Sequence, residues 1–130
     1  LIRGIRGATT ASENTVQSVL SSAEELYKKM AADNQIVPEK VSSVLVTVTK
    51  DLDAAFPAKA LRELTGWNHV PVMCMAEIDV PGALQKCIRV MMHVETDLNQ
   101  NEVQHVYLKG ASVLRPDLTN SRQESSPLTE

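Results

Sequence analysis

Aromatic residues make up only 3% of this 130-residue chain, so its core has to be aliphatic, with methionine filling the gaps. Cysteine is scarce too. Cys74 and Cys87 lie in separate apolar stretches without CxxC spacing, which excludes a disulfide framework and fits free thiols in a reducing compartment. No apolar run approaches the ~20 residues of a membrane-spanning helix. The opening segment, LIRGIRGATT, carries arginines where a secretory signal would be apolar. The expectation is a soluble, cytoplasmic chain with no membrane partner. A basic excess is also missing, since 13 Lys and Arg stand against 16 Asp and Glu for a formal charge of -3. That argues against nucleic acid as a partner, because neutralising phosphates needs a basic surface. It leaves room for a local positive pocket.

The motif search excludes more. Gly4-Ile5-Arg6-Gly7 fits the GxxG of a nucleic-acid-binding loop, but it sits in a strand-like stretch of an acidic chain. The stretch from Asp97 starts like a calcium-binding loop, then places Glu102 where glycine is required and Leu108 where a bidentate glutamate belongs. His69, His93 and His105 lack metal-ligand spacing, and read as ordinary surface or packed histidines. There is no phosphate loop, dinucleotide fingerprint or nucleophile elbow. No metal and no cofactor are expected.

What is present is a single domain of ordinary make-up, 43% hydrophobic and 22% charged. Residues 86–97, KCIRVMMHVETD, form its organising strand. Ile88, Val90, Met92 and Val94 share one wholly apolar face; Cys87, Arg89, Met91 and His93 share the other. Residues 14–34 make the clearest helix, with Val16, Val19, Leu20, Ala23, Leu26, Tyr27 and Met30 in one stripe. Asn14 with Gln17 suggests a capping box at its start, and Tyr27 is assigned to packing. Further strands are expected at 1–9, 42–49, 71–78 and 103–108. A second helix is expected at 57–65, opened by Pro57 and stopped by Gly66. The fold class is α+β, a mixed sheet with helices on one face. The domain is expected to span residues 1–118, followed by a mobile polar tail at 119–130.

An arginine inside an apolar strand is unusual, because Arg is almost never fully buried unless paired. Arg89 has two readings: a structural ion pair with a nearby carboxylate, or a cation that holds an anion in a cleft. Other cations stand in glycine-rich or apolar settings. Arg6 lies between Gly4 and Ala8 on its own face; Arg62 lies one helical turn from Lys59; Arg115 follows an apolar segment. Glu77 ends an apolar strand. Several cations, one carboxylate and no nucleophile make a binding kit for a small polyanion.

Five blocks then carry a family likeness: RGIRGATT at 3–10, FPAKALREL at 56–64, GW at 66–67, CIRVMMHVETD at 87–97 and HVYLKGASVLRPDL at 105–118. In this order, over nearly the whole chain except its tail, the sequence resembles the monofunctional chorismate mutases of the small trimeric class. The resemblance implies rearrangement of chorismate to prephenate in phenylalanine and tyrosine biosynthesis. It also implies a homotrimer shaped as a pseudo α/β barrel, with clefts at the subunit interfaces.

Roles follow by resemblance. Arg89 matches the arginine facing the breaking ether oxygen. Arg6 matches one that binds a substrate carboxylate and approaches the same oxygen. Tyr107 matches a donor to the side-chain carboxylate, and Glu77 with Cys74 match the pair that holds the ring hydroxyl. Phe56, Ala58, Lys59, Val72 and Leu114 match cleft-lining residues, while Arg62 and Arg115 match outer cations. Met73 departs from the pattern, standing where a small hydroxylated residue is expected. Cys74 and Glu77 are three apart, so in a regular strand their side chains face opposite ways; Cys74 is expected to act through its backbone N–H.

The implied reaction needs no cofactor, nucleophile or proton transfer, in keeping with the motifs the chain lacks. The sequence admits two other readings. One is a deaminase-like module of the same trimeric shape, against which the set Arg89, Glu77 and Tyr107 speaks. The other is a non-enzymatic sensor of aromatic metabolites, for which no effector domain is visible.

Overall fold

The computed structural model describes residues 1–114, so Arg115 and the segment 119–130 lie outside the described residues. Its elements are β1 (Ile2–Thr10), α1 (Val16–Asn34), β2 (Val41–Val48), α2 (Ala58–Arg62), β3 (Val72–Ala76), β4 (Cys87–Glu95) and β5 (Val106–Tyr107). The organising strand is central in space as well as in sequence. The sheet order is β3-β2-β4-β1-β5. β4 runs antiparallel to both β1 and β2, while the outer pairs β2–β3 and β1–β5 are parallel. This is the mixed sheet of the expected α+β class.

The alternation in β4 decides which face takes the helices. Ile88, Val90, Met92 and Val94 are all buried. Ile5 of β1 and Val44 and Val46 of β2 lie on the same face by register. Against them pack Val19, Ala23, Leu26, Tyr27 and Met30 of α1, in one continuous core. Leu20 packs on its margin, whereas Val16 is exposed. Gly7 lets α1 approach closely: a Cβ there would lie 2.4 Å from Met30 Sδ, so Met30 would have to repack to admit any side chain. The Tyr27 hydroxyl donates to the Pro57 carbonyl at 2.9 Å, pinning the start of α2 to α1. Burial pushes the Tyr27 phenol well above its ordinary pKa, so it stays neutral in this packing role.

Several local expectations are corrected. α1 is capped by Thr15, whose Oγ1 accepts from Ser18 N at 3.1 Å. Asn14 is drawn away to the loop after β2, where its Oδ1 accepts from Asp53 N and Ala54 N at 3.1 and 3.0 Å. A capping box does occur, but at Asn99 and Glu102 around a 3₁₀ turn at Gln100–Glu102. β5 covers only Val106–Tyr107 of the expected 103–108; just before it the backbone N–H and carbonyl of Gln104 bond the Asn34 side chain at 2.7 and 2.8 Å. α2 is also shorter than its pattern, ending at Arg62. The chain after it closes with Gly66 at φ 87, a conformation open to glycine at little steric cost.

Candidate active site

The face of the sheet opposite α1 carries the polar residues of the sequence pattern. Arg89 of β4 is flanked by Ala8 of β1 and Thr47 of β2, two small neighbours that leave its side chain room. Arg6, two residues before Ala8, lies on the same face beside Met91. β5 pairs Tyr107 with Ala8, and the tyrosine packs with Ala8 and Ala111, bordered by Leu84 and Leu114. Glu77 follows β3 directly; its N–H donates to Val48 O at 2.9 Å and so continues the strand ladder by one residue. Together Arg6, Glu77, Arg89, Tyr107 and Leu114 line one cleft of ≈ 330 Å³, with Thr47, Leu45, Met75 and Met91 completing its floor and walls.

The electrostatics of this cleft are uneven. Arg6 and Arg89 face one carboxylate, Glu77, which leaves net positive charge. Arg89 Nε lies 3.5 Å from Glu77 Oε2, so a carboxylate is near, as the ion-pair reading requires. That contact is not a hydrogen bond. Arg89 Nε and the Tyr107 hydroxyl are both buried with no hydrogen-bond partner among the described residues. Buried donors left open are expensive in a folded protein, and two in one cleft mark a place where a ligand supplies acceptors. Cys87 shares the face of Arg89. Burial pushes its thiol pKa up while Arg89 pulls the other way; the net rise keeps the thiol neutral, and it does not discharge the guanidinium. The Glu77 carboxylate is held on its other oxygen by the Thr47 hydroxyl, 2.5 Å from Oε1.

Among the described residues, the remaining expected ones do not line this cleft. Cys74 pairs with Val46, so its side chain lies on the α1 side of the sheet. It lines a second cleft of ≈ 450 Å³ with Phe56, Leu52, Pro57 and Ala76. Phe56 is 75% exposed. Ala58 is buried in α2, where Lys59 and Arg62 are exposed. Val72 is half-buried against the core and Met73 is largely exposed. The expected residues are therefore divided: Arg6, Glu77, Arg89, Tyr107 and Leu114 line this cleft and Phe56 and Cys74 the second, while Ala58, Lys59, Arg62, Val72 and Met73 line neither, and Met73, paired with Leu45, lies on the Arg89 face of the sheet. The parity argument for Cys74 and Glu77 holds, since their side chains lie on opposite faces.

Thr47 also lines the cleft, and sequence reasoning missed it. In a Val- and Thr-rich strand it reads as β-propensity alone. The signal lies in parity with Arg89 across the sheet, which appears only once the register of β2 on β4 is known. The histidines have ordinary roles: His93 Nδ1 is 3.0 Å from Ser43 Oγ, and His105 Nδ1 accepts from Arg6 N at 3.0 Å.

The comparisons with known proteins converge. The family model described as chorismate mutase type I matches residues 2–118. The chain is 53% identical over 119 residues to chorismate mutase AroH of Bacillus subtilis, covering 92% of this chain and 94% of that protein. It is 43% identical over 123 residues to chorismate mutase AroH of Thermus thermophilus, covering 94% and 100%. The structure matches that of a chorismate mutase from Clostridium thermocellum with a TM-score of 0.83 at 53% identity, covering 85% of this chain and 98% of that one. The chain belongs to the chorismate mutase type I family, and its activity is the isomerisation of chorismate to prephenate.

Proposed function

We propose that this isomerase accelerates its pericyclic rearrangement by fixed charge, and that two chains of a homotrimer complete each cleft. The observation that carries the first part is the pair of buried, open donors, Arg89 Nε and Tyr107 OH, in a cleft that also holds Arg6. In the rearrangement the C–O bond breaks before the new C–C bond is complete, so negative charge grows on the ether oxygen. A guanidinium held there stabilises the transition state more than the ground state, as differential binding requires. Arg89 is assigned that role. Arg6 and Tyr107 take substrate carboxylates and fold the flexible enolpyruvyl arm over the ring. Glu77 accepts from the ring hydroxyl and offsets the positive charge growing on the ring.

Assembly is supported by the division of the site. A cleft with Arg6, Glu77 and Arg89 but without Lys59, Arg62 and Phe56 holds half of the expected kit; Phe56 and Cys74 line a separate hollow on the same chain, and Lys59 and Arg62 are exposed on α2. A neighbouring chain that brings its second half to the first half of this one makes a whole site, and a closed ring of three repeats that contact. β3 is the edge strand, and Glu77 N points toward β2. By strand alternation the Cys74 N–H then points outward, open to a substrate hydroxyl brought by the neighbour. Arg115, outside the described residues, is placed with the outer cations. The two free cysteines suit the cytoplasmic location we assign.

Complementation tests the shared cleft. An Arg89→Ala chain and a Lys59→Ala/Arg62→Ala chain are each expected to lose most turnover, followed as loss of the conjugated-diene absorbance of chorismate. Co-refolded in equal amounts, they should regain activity at about a quarter of their sites, one-half times one-half, if each site draws on two neighbours of a ring. No recovery in the mixed trimers, or full activity in a sedimenting monomer, overturns the shared cleft.

A further inference from the structure

We infer that Thr47 is a positioning residue for this reaction: its hydroxyl holds the Glu77 carboxylate and so keeps Arg89 available to substrate. This rests on the roles proposed above for Glu77 and Arg89. Three residues from three places in the fold meet on one face. Thr47 is paired with Arg89 on β4 and with Met75 on β3, and Glu77 follows β3 two residues later. Thr47 Oγ1 donates to Glu77 Oε1, and Glu77 Oε2 stands 3.5 Å from Arg89 Nε.

A carboxylate and a guanidinium at that separation ordinarily close into a hydrogen-bonded pair, often bidentate. Here they do not, and Nε stays open among the described residues. The bond from Thr47 explains the gap. It engages one carboxylate oxygen and turns the group so that only the other faces Arg89. A fully paired Arg89 would spend its donors and much of its field on Glu77 before substrate arrived. Glu77, in turn, would lose its free lone pairs for the ring hydroxyl. Thr47 has the right chemistry at the right place: its β-branched body suits a strand, and its hydroxyl is a donor that adds no charge.

The test compares Thr47→Val, Thr47→Ser and Glu77→Ala, and places Thr47→Val in the Glu77→Ala background. Turnover, Michaelis constant and melting temperature are measured for each. Thr47→Val should lower kcat about tenfold, the usual effect of losing a hydrogen bond to a charged group, while the melting temperature moves little. Thr47→Ser should restore most of the lost turnover. In the Glu77→Ala background, Thr47→Val should add less than about a twofold loss, because there is no carboxylate left to position. If Thr47→Val does not fold, Thr47→Ala replaces it with the same expectations. Normal turnover in the Thr47 variant, a serine variant as poor as valine, or an equal further loss without Glu77 overturns the inference. Impaired Glu77→Ala with normal Thr47→Val sinks Thr47 alone. Normal turnover in Glu77→Ala sinks the assignment of Glu77, and Thr47 with it.

Discussion

Replacing Arg89 by citrulline separates charge from shape at the centre of the proposed mechanism. Citrulline keeps a planar urea close in size to guanidinium and removes the formal charge. The structure bounds the effect. The Arg89 side chain is 35% exposed and its Nε is buried, so an effective dielectric of about 20 is the appropriate scale. A unit charge about 3 Å from the ether oxygen then contributes about 5 kcal/mol, and about half of that if half a charge has developed at the transition state. About 2.5 kcal/mol is ~10²-fold in rate, the same range as loss of one oxyanion-hole donor. The ground-state ether carries little charge, so substrate affinity should change far less than turnover. The assay is single-turnover loss of the chorismate diene absorbance, with a melting curve on the same sample. The ion-pair reading predicts instead a lowered melting temperature and activity lost only in proportion to unfolded protein. A folded citrulline variant with near-normal turnover refutes the electrostatic role. Arg89→Lys should recover part of the rate only if the shorter ammonium reaches the oxygen.

Two further outcomes concern stability. Asp51 accepts from Lys86 N at 3.1 and 2.9 Å and from the Thr49 hydroxyl, fixing the entry to β4; burial pushes its pKa up, but these bonds more than compensate and hold it below the ordinary carboxylate value. A depressed acid stabilises fully above its unfolded value and loses that contribution as pH falls through the folded one, so denaturation midpoints should show an acid limb below the ordinary carboxylate range that is flatter in Asp51→Asn; identical limbs refute it. Thr9 is fully buried and its Oγ1 has no partner among the described residues, so Thr9→Val should stabilise by about 1 kcal/mol; a lowered melting temperature would show that the hydroxyl is satisfied.

Much of the fold was legible because it obeys two periods. The stripe of α1 and the alternation of β4 are long enough for burial to dominate, and both landed on the core. Local ends were less legible. Asn14 and Thr15 are both good caps, and what decided between them was a loop 39 residues away that takes the Asn14 side chain. The start of β5 was obscured by Asn34, 70 residues away in sequence, whose side chain takes both backbone groups of Gln104. The site was legible in kind and not in arrangement. Arg6 and Arg89 stand out because cations in such settings need a reason. Ala58 and Cys74 carry no such mark. The division of the kit into two halves depends on strand order, which hydropathy does not encode.

A carboxylate beside the key cation looks at first like a defect, since Glu77 weakens the attraction of Arg89 for any anion. Against a neutral ether in the ground state that loss matters little. In the proposed mechanism the two charges act together on the transition state. The breaking bond leaves negative charge on oxygen and positive charge on the ring, so a cation at one end and an anion at the other match the dipole as it forms. The arrangement works only if the two charges do not satisfy each other first. Their 3.5 Å separation without a hydrogen bond is the geometry such a site requires, and the preorganisation is supplied by the folding of β2, β3 and β4 rather than by the substrate. On the proposed mechanism, that is also why the rearrangement needs no nucleophile and no shuttled proton. Its catalytic groups need only hold position and charge, and β-strands in a packed sheet hold both.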